Sequence, residues 1–173
     1  MAATYTLISS NVLSSSAASV TFSAIPSTYT DLVLRLSART NYASTRDNIW
    51  LTVNSSATGY SETVLYGFTG TAASLLLSSQ AKWSKIYTNA STSTSNTFSS
   101  VELYFPNYAG SAYKVMSGAD AVEGNITTSG TILAATADLW QSTSAITSMT
   151  MVPEAGTSFD SGSSFYLYGI SNS

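Results

Sequence analysis

Nine consecutive residues, Asp31-Leu-Val-Leu-Arg-Leu-Ser-Ala-Arg39, alternate between two kinds of surface. Leu32, Leu34, Leu36 and Ala38 fall on one side of an extended chain, and Arg35, Ser37 and Arg39 on the other. A period of two is the signature of a strand with one buried face, because successive side chains of a pleated backbone point in opposite directions. The pattern recurs at Asn48 to Val53, with Ile49, Leu51 and Val53 inward, and at Phe98 to Phe105, with Val101, Leu103 and Phe105 inward. Weaker runs of the same kind are Thr4 to Ile8, Ser19 to Phe22, Glu62 to Tyr66 and Lys82 to Tyr87. Others follow at Tyr113 to Gly118, Thr131 to Ala137, Ala145 to Val152 and Ser164 to Ile170. Helical periodicity is nearly absent; Ala72 to Lys82 is the one stretch that reads as a helix.

Turn-formers separate the runs: Ile25-Pro26-Ser27, Pro106-Asn107-Tyr108-Ala109-Gly110, Glu123-Gly124-Asn125 and Pro153-Glu154-Ala155-Gly156. About ten short strands with regular turn signals and almost no helix predict an antiparallel jelly-roll β-sandwich. Residues 1–173 read as a single domain, long enough to bury a real core. The Ser/Thr-rich stretch from Asn89 to Ser100 reads as an exposed loop, since strand patterns continue on both sides of it.

Composition narrows the chemistry. The chain has no His and no Cys, and its six basic and nine acidic residues make up 9% of the sequence. Serine and threonine, 34 and 24 of them, take their place. Proton transfer, nucleophilic attack and metal binding draw mostly on His, Cys, Lys, Asp and Glu, so this composition argues against catalysis. Six scattered basic residues and a net charge of −3 make no phosphate-binding surface, and no nucleic-acid partner is expected. No apolar run is long enough to cross a bilayer, and the start Met1-Ala-Ala-Thr-Tyr5 lacks the features of a secretory signal. No membrane partner, cofactor or metal is expected.

Paired carboxylates are the one catalytic device left, and Glu102 with Glu123 is the glycosidase-like candidate. A solvated charge on a strand's polar face is the ordinary reading of Glu102. Asp120 and Glu123 offer two oxygens to a calcium ion, far short of the six to eight it takes.

The aromatics carry more information. Phe22, Phe98, Phe105 and Phe165 lie on apolar faces and are expected in the core. Trp50, Tyr66, Tyr104, Tyr166 and Tyr168 fall on the opposite faces by parity, and Tyr108 sits in a turn. Such residues mark a subunit interface, ordinary surface, or a platform on which sugar rings stack, in that order of expectation. Short hydroxyl side chains lose little entropy when ordered, and low charge limits repulsion between neighbouring copies. Both suit a protein packed into an assembly.

Three stretches carry a resemblance: Ser16 to Arg39 (SAASVTFSAIPSTYTDLVLRLSAR), Phe105-Pro-Asn-Tyr-Ala-Gly110, and Gly162-Ser-Ser-Phe-Tyr-Leu-Tyr-Gly-Ile170. The chain resembles small structural proteins of tailed bacteriophages of aquatic bacteria from about residue 4 to its end. The motifs are strand-and-turn rules of a fold, and no functional residue is carried over with them. The resemblance implies a non-enzymatic virion protein. The expected place is the capsid exterior, as a decoration or cement protein clamping copies of the major capsid protein, with homotrimers expected by analogy. The alternative is a tail-fibre tip that binds host surface glycan.

Overall fold

The structure, a computed structural model, describes residues 4–124 and 130–171. Twelve antiparallel strands form two sheets, and no helix occurs among the described residues. The large sheet has the order β1 (Thr4–Val12), β12 (Ser164–Ser171), β3 (Asp31–Ser37), β8 (Ser100–Phe105), β9 (Lys114–Val122), β10 (Ile132–Trp140), β5 (Tyr60–Phe68) and β6 (Thr71–Gln80). The small sheet runs β2 (Val20–Phe22), β11 (Met149–Pro153), β4 (Arg46–Val53) and β7 (Trp83–Asn89).

Eight of these strands make the jelly roll. Counted inward from the two ends of the chain, β1 pairs with β12, β2 with β11, β3 with β8 and β4 with β7. That nesting is a long hairpin rolled so that its strands fall alternately into two facing sheets. The other four strands are two hairpins, β5–β6 between β4 and β7 and β9–β10 between β8 and β11. They extend the large sheet beyond β8, so half of that sheet is jelly roll and half is addition. The three stretches that carry the phage-protein resemblance contain β2 and β3, the end of β8, and β12; β12, β3 and β8 are consecutive neighbours in the large sheet.

The alternation seen in the sequence sets the core. Leu32, Leu34 and Leu36 from β3 face Ile49, Leu51 and Val53 from β4, with Leu103, Phe105 and Phe165 beside them, all buried. An aromatic stack closes the sandwich toward the added hairpins: Tyr60 lies 5.0 Å from Trp83, edge to face, and 6.2 Å from Trp140. Between those hairpins and β7 lies a smaller core of Val64, Tyr87, Val122, Ile132 and Ala134.

Three expectations need correction. Ala72 to Lys82 is no helix: the edge strand β6 covers Thr71–Gln80. Its apparent helical run, Leu75-Leu-Leu77, pairs residue by residue with Val64, Thr63 and Glu62 of β5, and the sheet overrides a weak local preference. Phe98 is only half-buried, because it lies in the loop before β8 and packs beneath Gly162. That loop is also less exposed than its composition implied. The Arg39 guanidinium donates to the carbonyls of Ser91, Ser93, Thr94 and Thr97 at 2.9–3.0 Å, which pins it from inside.

Candidate functional site

The outer face of the large sheet is where the unexplained side chains gather. Register places Leu7, Tyr168, Val33 and Tyr104 side by side across β1, β12, β3 and β8. The next outward row reads Ser10, Tyr166, Arg35 and Glu102, and the one after it Val12, Ser164, Ser37 and Ser100. Four strands that are remote in sequence thus build one platform.

Its centre is an ion pair ringed by tyrosines. Arg35 Nε donates to Glu102 Oε2 at 2.6 Å, with both side chains half-exposed. The same guanidinium lies 5.7 Å from the Tyr5 ring and 5.9 Å from the Tyr168 ring, within cation–π range. Tyr166 stacks on Tyr168 at 6.4 Å, and Tyr5 meets Tyr168 edge-on at 6.3 Å. Tyr104 donates to Asp31 Oδ2 at 2.8 Å, and burial together with that carboxylate raises its phenol above the usual range. Asp31 Oδ1 also accepts from the Asn107 amide at 2.8 Å, so the platform is tied to the turn after β8. Beside the ion pair lies an open hollow of about 370 Å³ lined by Arg35, Glu102, Tyr166 and the hydroxyls of Ser37, Ser100 and Ser164.

On the added strands the same face changes character. Its rows read Ser117, Ala137, Thr63, Leu76 and then Ala119, Ala135, Leu65, Ser74. An apolar hollow of about 410 Å³ opens there, lined chiefly by Leu65, Leu133, Ala119 and Ala135. Seven of the nine exposed large apolar side chains among the described residues lie on this one face. They are Tyr5, Leu7 and Val12 on β1, and Leu65, Leu76, Val115 and Leu133 on the added strands.

Of the aromatic candidates, the structure brings Tyr104, Tyr166 and Tyr168 together. Trp50 stands apart on the outer face of the small sheet, with the Lys82 ammonium 3.2 Å from its ring centre. Tyr66 points inward, against expectation. Even-numbered residues of β5 face the core, because Glu62 is buried, and Tyr66 packs 6.4 Å from Tyr87. Tyr108 is also no contact residue: it is fully buried and donates its hydroxyl to the Pro26 carbonyl. Sequence parity does not mark Tyr5, Leu7 and Arg35 as a set, since only the pairing of β1, β12 and β3 makes them neighbours.

The carboxylates divide by depth. Glu102 and Glu123 do not face each other across a cleft. Glu102 pairs with Ala119, so Glu123 lies four residues further along, roughly 13 Å at 3.3 Å per residue, beyond the spacing of glycosidase pairs. Asp120 is buried while Glu123 is exposed, which separates the two oxygens considered for calcium. A different trio, Glu62, Asp120 and Asp138, is buried between the added strands and β7. Burial pushes both Asp120 and Asp138 up to about 7, and Glu62 adds to the rise at Asp138. These groups are shielded from solvent and serve the backbone. Glu62 accepts from the Ser84 and Lys85 amides, and Asp120 accepts from the Tyr87 amide at 2.7 Å.

No family model matches the chain, and no curated protein does. Among solved structures, a Caenorhabditis elegans galectin aligns with 94% of this chain and 96% of its own, at 14% identity and a TM-score of 0.38.

Proposed function

We propose that this chain is a non-enzymatic structural protein of a tailed-phage particle, docked on the capsid exterior as a decoration protein. The observation that carries the reading is the crowding of exposed apolar side chains onto one sheet face. Leu65 and Leu133 line one apolar hollow on the added strands, and an exposed apolar patch of that kind marks a surface that another protein covers. The aromatic platform adds rigid anchors of the type that dominate interface energetics, with Arg35 and Glu102 to fix orientation. Three of the six basic residues are held in contacts within the fold. Arg39 pins a loop, Lys114 is buried and donates to the Gly110 and Ala112 carbonyls, and Lys82 covers Trp50.

Quantitative mass spectrometry of purified particles tests the proposal by counting this chain against the major capsid protein. A ratio of one to a small integer is the expected result. A Leu65→Ser/Leu133→Ser double variant, altered only at exposed positions, is expected to fold normally and drop out of the particle. No copy on the head would overturn the reading.

The hollow beside Arg35 favours one second reading, a tail-tip contact with host glycan. A tyrosine, Tyr166, backed by Tyr168, with an ion pair and three hydroxyls around an open hollow, supplies the groups that hold a sugar ring. A handful of copies per particle, with glycan-array binding lost in Tyr168→Ala, would move the protein from head to tail.

A further inference from the structure

A two-sheet protein has four sheet edges, and each exposed edge offers unpaired N–H and C=O groups to any passing strand. Three of the four are managed here. The β2 edge is only three residues long. The β7 edge is capped by side chains, with the Glu62 and Asp120 carboxylates taking the amides of Ser84, Lys85 and Tyr87. The β1 edge is broken by a register shift between Leu7 and Ser9, and such a bulge twists an edge away from flat pairing.

The fourth edge, β6, is the least protected, because its one bulge lies near its end and leaves a long regular stretch. It is ten residues long, Thr-Ala-Ala-Ser-Leu-Leu-Leu-Ser-Ser-Gln, with no charge and no proline. Its pairing with β5 is regular from Thr71 to Leu77, and the only shift lies beyond, toward Gln80. Among the described residues no strand pairs with its other side.

We propose that β6 pairs antiparallel with β6 of a second copy about a two-fold axis at Ser74, joining two large sheets into one. The sequence of the edge is self-complementary in size about that residue. Leu76 lies opposite the second copy's Ala72, Leu75 opposite its Ala73 and Leu77 opposite its Thr71. Large side chains meet small ones on both faces of the joined sheet, and no like charges oppose. The apolar rows also continue across the axis, since Leu65 pairs with Ser74 and the second copy repeats the order in reverse. A two-fold axis follows because an antiparallel pair of identical strands has no other closed symmetry. The three-fold arrangement expected by analogy would need a different interface. Seven paired residues bury less than the roughly 800 Å² per partner of a standard interface. The dimer is therefore concentration-dependent in solution and strengthened wherever a scaffold holds two copies side by side.

The inference extends the assembly reading to contacts between copies, and its test needs no particle. Sedimentation equilibrium of the full chain is expected to show a monomer–dimer equilibrium in the micromolar to millimolar range. The chain has no cysteine, so Ser74→Cys introduces a single thiol at an exposed position. Paired strands bring the two thiols within disulfide reach, and mild oxidation is expected to link most of the protein as dimer. Ser10→Cys, exposed on the same face near the opposite edge, is the control and stays monomeric. Ser74→Lys sets two charges against each other and is expected to shift the equilibrium at least tenfold toward monomer. A wild-type monomer at every concentration, cross-linking no faster at position 74 than at position 10, or an oligomer that survives Ser74→Lys would each overturn the proposal. Any of these leaves the particle copy number, and the decoration reading with it, to be decided on its own.

Discussion

The two halves of the large sheet's outer face are built on continuous rows of the same strands, yet they treat solvent differently. Over the jelly-roll half, Tyr104 and Tyr168 flank Val33 so closely that it is only 1% exposed although it faces outward. Over the added half, the row positions next to Leu65 and Leu76 hold Ala135, Ser74 and Thr63, and the leucines stand 62% and 73% exposed. Tall amphipathic side chains finish a surface, because they cover apolar neighbours and keep their polar ends wet. Small side chains leave the large ones beside them uncovered. At its centre one half covers its apolar side chains with its own neighbours, and the other leaves them bare. The contrast explains how one sheet carries both a polar, shaped platform and a smooth apolar one.

The seam between the halves is the place to break the comparison with the largest effect. Gly118 on β9 pairs with Leu103 on β8, and a Cβ there would strike Leu103 Cδ2 and lie 2.7 Å from the Glu102 carbonyl. Gly118→Val therefore forces backbone apart, with an expected cost of about 3 kcal/mol. Chemical denaturation reads the loss. Hydrogen exchange locates it: β5 and β6, which beyond Tyr60 pack on the smaller core, are expected to lose protection while β3 and β12 keep theirs. Uniform loss across both halves would mean that the seam does not separate them.

The jelly-roll half was legible in the sequence, and the added half was not, for a physical reason. Strands β3, β4 and β8 have one core face and one wet face, so their alternation shows directly which residues are buried. In β5 the inward positions include Glu62, and in β6 the apolar residues run consecutively because neither face is well covered. Parity fails there, so the local pattern puts Tyr66 outward and reads the β6 segment as a helix. The platform was half legible. Tyr104, Tyr166 and Tyr168 show their face by parity alone. Their meeting with Tyr5 and Arg35 depends on register between strands far apart in the chain, and nothing local encodes that. The burial of Tyr108 was hidden likewise, since its cover comes from the Pro26 loop.

The added half also carries a pH signature. Asp120 and Asp138 have folded values of about 7, raised from 3.8 by burial, so the folded state holds protons that the unfolded chain releases. Stability from these groups is full below about pH 4 and is lost as pH climbs through 7. Thermal melts are expected to show a falling midpoint from pH 5 to 8, the reverse of the usual carboxylate trend. Asp138→Asn removes one of these charges while retaining an acceptor for the Thr136 hydroxyl. It is expected to flatten the profile and add roughly 1 kcal/mol at pH 8, a gain of about 2–4 °C. An unchanged slope would show that Asp138 does not hold its proton in the folded state.

The smallest effect on stability is expected at the centre of the platform. Arg35 and Glu102 are half-exposed, and an ion pair in that setting contributes at most about 1 kcal/mol, screened further by salt. Arg35→Ala should leave the melting temperature within a degree or two of wild type. The guanidinium also packs over two rings, so its loss frees Tyr5 and Tyr168 to reorient, and near-ultraviolet circular dichroism from tyrosine should change although the fold does not. Stability lost on the scale of a core substitution would mean that Arg35 braces the sheet, and the platform would then be part of the scaffold. A stable variant with altered tyrosine signal and lost incorporation into particles would separate the two roles, because only a contact surface fails in that way.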